Sequence, residues 1–230
     1  MSGLQSNISV GRESKVFQND KAQRLGLLLI RCSTLAAVLV VLNAGVLFGL
    51  GLADAPRRYE VLAIPILVVL PVACFLWLLG TFVLCLVPDN RAKISFALGL
   101  LASLLMTSCF DLGRWADLVG HDNTPRVFSV ATCAAIVLVL TGFSRLSQVW
   151  KRPDLVGESR VTMVYGVVAW GLALNLFYGE YQQPEILGLL ICAVGLVGLI
   201  RFSVLLKRLS GQVAQTRVEA RGQATQSIEL

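Results

Sequence analysis

Charge is what this sequence has least of. Only 15% of its 230 residues are Asp, Glu, Lys or Arg, against 56% that are hydrophobic. A soluble domain usually carries about 25% charged residues. A soluble enzyme, a disordered regulator and a nucleic-acid-binding domain are therefore excluded as primary readings. There is one histidine, so a bis-histidine haem site cannot form and no HExxH pattern exists. The six cysteines include no CxxC pair and all fall in apolar stretches. Neither a disulfide framework nor a thiolate zinc site is indicated. A nucleotide-binding glycine loop and a GxSxG elbow are also missing. No cofactor is called for.

What is present is apolar sequence in blocks. A charge at a helix centre costs roughly 2.5–3.5 kcal/mol on insertion scales, so charge-free stretches mark membrane spans. There are six, at 32–53, 61–88, 94–110, 127–144, 161–179 and 186–200. Arg31, Arg145 and Arg201 lie close to proposed helix ends, where a long side chain can reach the headgroups. The expected fold is an all-α integral membrane protein, a six-span helical bundle with both termini cytoplasmic. Its spans fall at about 32–53, 61–88, 94–112, 127–147, 161–179 and 186–206. Residues 1–31 form a cytoplasmic tail and the start of span one, and 207–230 a polar cytoplasmic tail that is partly disordered. The alternative is five spans with the sixth on the surface. Its all-round hydrophobicity argues against that. The first apolar run, 22 residues from 32 to 53, is too long for a signal-peptide core and reads as an uncleaved anchor.

Orientation follows from the basic residues. With six spans, 16 of the 20 Lys and Arg fall with the termini and the 89–93 and 145–160 loops, and 4 fall opposite (Arg57, Arg58, Arg114, Arg126). The 14 acids divide seven and seven, so the bias belongs to Lys and Arg alone, as the positive-inside rule requires. The expected location is a cell membrane. Lys151, Arg152, Arg160, Lys207 and Arg208 are the candidate contacts for anionic lipid. The basic residues are scattered and no aromatic platform accompanies them, so nucleic acid is not an expected partner.

Candidate functional residues are few. Asn43, at the midpoint of span one, is the only amide or ionisable residue near any midplane. It serves either to bond across helices or to line a polar pathway. Pro71 interrupts span two and frees the carbonyl of Leu67, as in an ordinary kink or a broken transporter helix. The loop between spans three and four carries Asp111, Asp117, His121 and Asp122, an outer polar site with imidazole and carboxylate donors. Proton relays, voltage sensors and ion-coupled carriers place charge deep in the bundle, and this chain has none there.

Small residues recur four apart at Gly45/Gly49, Gly99/Ser103, Ala169/Ala173 and Gly188/Cys192, spacings that let helix backbones approach. The expectation is a non-catalytic accessory, scaffold or complex subunit whose partners are the bilayer and other membrane proteins or its own copies. The alternatives are a passive channel or carrier for a small or lipidic solute and, third, an intramembrane enzyme.

Overall fold

In the computed structural model the backbone is described for residues 3–52, 59–87, 89–108, 124–178 and 184–226, with side chains over 21–50, 66, 68–87, 89–108, 127–173 and 184–215. Six helices account for nearly all of it: α1 (Gly3–Leu52), α2 (Tyr59–Leu84), α3 (Asn90–Ser108), α4 (Thr124–Val149), α5 (Pro153–Tyr178) and α6 (Pro184–Gln226). Among the described residues there is no strand. Four helices contain stretches long and apolar enough to cross a membrane: Lys21–Leu50, Asn90–Ser108, Val127–Val149 and Pro184–Gln215. The described part of α2 adds a shorter apolar segment, Val68–Leu84.

The helices form a ring in chain order, each packed on the next, with α6 closing back on α1. Every seam carries a cross-helix hydrogen bond. Ser33 Oγ donates to the Ala73 carbonyl at 2.7 Å between α1 and α2. Trp77 Nε1 donates to Ser103 Oγ at 3.0 Å between α2 and α3, and Arg145 Nη1 to the Arg91 carbonyl at 2.9 Å between α3 and α4. Ser159 Oγ reaches the Leu140 carbonyl at 2.7 Å between α4 and α5. Arg208 pairs with Glu158 at 2.8 Å between α5 and α6. Arg24 Nη2 reaches the Val213 carbonyl at 3.4 Å between α1 and α6. Most other buried hydroxyls, including Thr34, Thr81, Ser147 and Thr162, bond a carbonyl one turn back in their own helix. They are thereby satisfied without water.

These contacts gather Arg24, Arg91, Arg145, Glu158 and Arg208 at one end of the ring, the basic end. The packed core lies there too: Leu27, Leu84, Phe96, Phe143, Leu155, Leu205 and Leu209 are all fully buried. Outward faces are apolar as well. Leu39, Phe75, Leu101 and Val130 are each at least 60% exposed, the distribution expected when the surrounding solvent is lipid rather than water.

Helix ends at the basic side are set by local chemistry. Asp89 Oδ2 accepts from the Ala92 amide at 2.7 Å, an aspartate N-cap at the start of α3. The α4–α5 turn closes with the Lys151 amide on the Gln148 carbonyl and the Arg152 amide on the Ser147 carbonyl, both at 3.0 Å. Lys151 takes the left-handed conformation there, with φ 54°. A glycine normally fills that position. Pro153 follows as the first residue of α5, where its missing N–H costs nothing.

Candidate functional site

The middle of the ring, away from the basic end, is not filled. A cavity of about 460 Å³ lies between α1 (Val40, Val41, Ala44, Phe48), α4 (Ile136, Leu140), α5 (Thr162 to Ala173) and α6 (Ile191 to Phe202), with Trp77 of α2 beside it. Its lining includes no ionisable carboxylate, lysine, arginine or histidine. Two polar groups at its wall are paired within the protein. Thr162 Oγ1 donates to the Glu158 carbonyl, and Trp170 Nε1 to the Ser129 carbonyl at 3.2 Å.

The space follows from side-chain size. Ala169 and Ala173 of α5 and Gly195 and Gly198 of α6 are small on the walls that face inward. The Ala169/Ala173 spacing, read from sequence as a close-packing motif, lines open volume instead. Elsewhere the small residues do admit neighbours. Gly188 seats the ring of Phe48, Gly99 receives Val139, and Gly142 receives the Phe96 ring.

The basic side of the cavity is closed by rings. Trp77 and Phe202 have centroids 6.0 Å apart, Phe202 and Phe143 also 6.0 Å, and Phe143 and Phe96 5.2 Å in an edge-on pair. This chain of four aromatics crosses the bundle from α2 through α6 and α4 to α3. The Arg201 guanidinium stands 5.4 Å from the centroid of Tyr165, a cavity residue, from the exposed side of α6. That contact suits a long cation turned toward an interface.

The sequence candidates fall elsewhere. Asn43 sits in a separate groove between α1 and α2 with Leu39, Leu42, Val46, Ile66 and Val69. Pro71 is on the exposed face of α2 and takes no part in the cavity wall. Asp111, Asp117, His121 and Asp122 lie outside the described residues. The aromatic floor, Tyr165 and Gly195 carried no sequence signal, because helices apolar on all sides do not reveal which face turns inward.

Of the five candidate lipid contacts, two are engaged by carboxylates: Arg208 by Glu158, and Arg152 by Asp154 through two bonds of 2.9 Å. Lys151, Arg160 and Lys207 are exposed. Lys151, Arg152 and Arg160 border one open groove at the α4–α5 turn.

Hydrogen bonding from Arg152 holds the Asp154 carboxyl down at about 2, well under the usual value near 3.9. A lowered acid contributes stability above its ordinary value and loses it as pH falls through about 2. Arg152→Gln should therefore move the Asp154 midpoint back up toward 4, read by carboxyl carbon shifts in a pH titration. An unmoved midpoint would mean the bidentate pair does not form in solution.

Compared with known proteins, the chain matches no family model, no curated protein and no solved structure.

Proposed function

We propose that the chain is a six-span, non-catalytic membrane protein with both termini cytoplasmic, an accessory subunit that holds an apolar chain inside the bilayer. The cavity carries this reading. Ligand sites typically measure about 300–1,000 Å³ and are lined mostly by apolar side chains. At about 460 Å³ this one has room for an alkyl segment of a lipid or a single-chain amphiphile. A carrier of hydrated solutes would want polar groups along its path. Asn43 is turned to another groove, and the floor of Trp77, Phe202 and Phe143 blocks the basic side. The ring order of the helices and the 16-to-4 division of Lys and Arg support the even span count and the cytoplasmic termini.

Gly195 supplies the test. It borders the cavity, and a Cβ built on it meets no heavy atom within 4 Å. Gly195→Phe should therefore fill the space without strain, while helix propensity improves by up to about 1 kcal/mol. Trp77 and Trp170 line the same cavity, so a brominated single-chain amphiphile should quench their fluorescence saturably in the wild-type protein. Gly195→Phe should remove the saturable component and leave the melting temperature level or raised. Identical saturable quenching in both proteins would refute occupancy of the cavity.

A further inference from the structure

The α1–α6 seam differs from the other five. Its hydrogen bond, Arg24 Nη2 to the Val213 carbonyl, is the longest of the set at 3.4 Å. At the same seam the Nε atoms of Arg24 and Arg31 are both buried, and neither has a hydrogen-bond partner among the described residues. A buried donor left unpaired is costly, more so when it is charged. Both nitrogens are covered by protein, so an acceptor from outside must reach the terminal nitrogens of these guanidiniums.

No carboxylate of α1 or α6 lies level with Arg31. On α1 there is no Asp or Glu between Asp20 and Asp54, and on α6 none between Glu185 and Glu219. Asp20 is one turn before Arg24 but roughly 16 Å along the helix from Arg31, at 1.5 Å per residue. The seam adds positive charge instead. α1 and α6 run antiparallel, with Arg24 against Val213 and Gly45 against Cys192, which sets Arg31 level with Leu206 and Lys207. Lys207 is exposed, and the two ion pairs among the described residues involve other side chains.

Depth and surface chemistry identify the acceptor. Arg31 lies about 31 Å along α1 from Leu52, and Lys207 about 34 Å along α6 from Pro184, at 1.5 Å per residue. The hydrocarbon core is ~30 Å thick, so both cations fall at the level of lipid phosphates. Beyond Arg31, Leu35 is exposed on α1, and the exposed Leu39 and Leu42 lead on to the α1–α2 groove, together a surface along which an acyl chain could run away from the seam. Arg31 as a whole stays partly exposed, and the two terminal nitrogens of a guanidinium can grip phosphate oxygens.

We infer that Arg31, assisted by Arg24 and Lys207, binds the phosphate of an anionic phospholipid at the α1–α6 seam. The bound lipid acts as a seventh fastener for the ring. The site rests on the membrane placement proposed above but not on the central cavity, which opens on the other flank of α1.

The test uses the full chain in phosphatidylcholine with and without phosphatidylglycerol, read by retained lipid in native mass spectrometry and by melting temperature. Phosphatidylglycerol should be retained in preference and raise the melting temperature. Arg31→Gln should weaken its retention about tenfold, consistent with loss of charge-assisted bonds. Arg31→Lys should keep part of it, and Lys93→Gln, an exposed cation on α3, should change nothing. Equal loss in Arg31→Gln and Lys93→Gln would overturn the site in favour of a diffuse basic surface. Equal retention of the two lipids would overturn it as well, and since both lipids are then held, the membrane placement would stand. If inorganic phosphate alone raises the melting temperature as much as the lipid does, the site takes a free anion and the lipid assignment fails. Should Arg31→Gln not fold, Lys207→Gln decides: undiminished retention there refutes the seam.

Discussion

Gly80→Leu should be the most disruptive single substitution in the ring, lowering stability by about 3 kcal/mol or more and separating α1 from α2. A Cβ at Gly80 would stand 2.6 Å from Ile30 Cγ1 and 3.0 Å from both the Gly26 carbonyl oxygen and the Ile30 amide nitrogen. Gly26, opposite, is equally confined: its Cβ would meet Leu84 at 2.9 Å and the Gly80 carbonyl at 3.1 Å. Two of the three obstacles at Gly80 are main chain, which cannot rotate aside. The helices must part, and the Ser33–Ala73 hydrogen bond at 2.7 Å parts with them. Overpacking a close contact costs about 1–3 kcal/mol or somewhat more. The gain in helix propensity on replacing glycine returns at most about 1 kcal/mol. Gly171→Leu is the matched control, because a Cβ there meets nothing within 4 Å. Thermal unfolding of both variants in one detergent checks the argument. Equal melting temperatures would mean that α1 and α2 do not touch backbone to backbone.

That contact was not legible in the sequence, and the reason is physical. The class was: long charge-free blocks have one solvent in which they are stable, and four helices satisfy the length and composition. Helix extent was not. α1 runs back to Gly3 and α6 on to Gln226, past the charges that bound their apolar blocks. A charge ends hydrophobicity without ending a helix, and no proline lies within 3–52 or beyond Pro184. Faces were the hardest to read. In water the inward side of a helix is its apolar side; in lipid both sides are apolar and that contrast disappears. Depth could place Asn43 at a midplane but not around the helix, and it belongs to the α1–α2 groove. Spacing could mark Ala169 and Ala173 as small. Whether small residues draw a neighbour in or leave a void depends on what faces them, and here Val40, Val41 and Leu199 stop short of closing the gap.

Phe202→Ala should lower stability by about 2–3 kcal/mol and at the same time lengthen the chain the cavity accepts. Phe202 is 6% exposed and is the centre of the floor, with Trp77 and Phe143 each at 6.0 Å. In a soluble core, Phe→Ala costs about 3–5 kcal/mol, the sum of a transfer term and a cavity term. Inside a bilayer the separated helix keeps its phenyl ring among lipid tails, so most of the transfer term drops out. What remains is lost packing, together with two aromatic pairs worth about 0.5–1.5 kcal/mol each. The same removal opens the central space toward Phe143 at the basic end. Gly195→Phe and Phe202→Ala thus push in opposite directions on one volume. The first should abolish saturable quenching by a brominated amphiphile. The second should retain it and shift the preference to a longer alkyl chain, measured as the chain length giving tightest binding. A stability loss in Phe202→Ala with an unchanged chain-length preference would make the ring a packing element alone and place the occupant's end elsewhere. A shift in preference makes Phe202 the residue that sets how far the occupant reaches, and the unbroken core behind it explains why such a chain would be held rather than passed through.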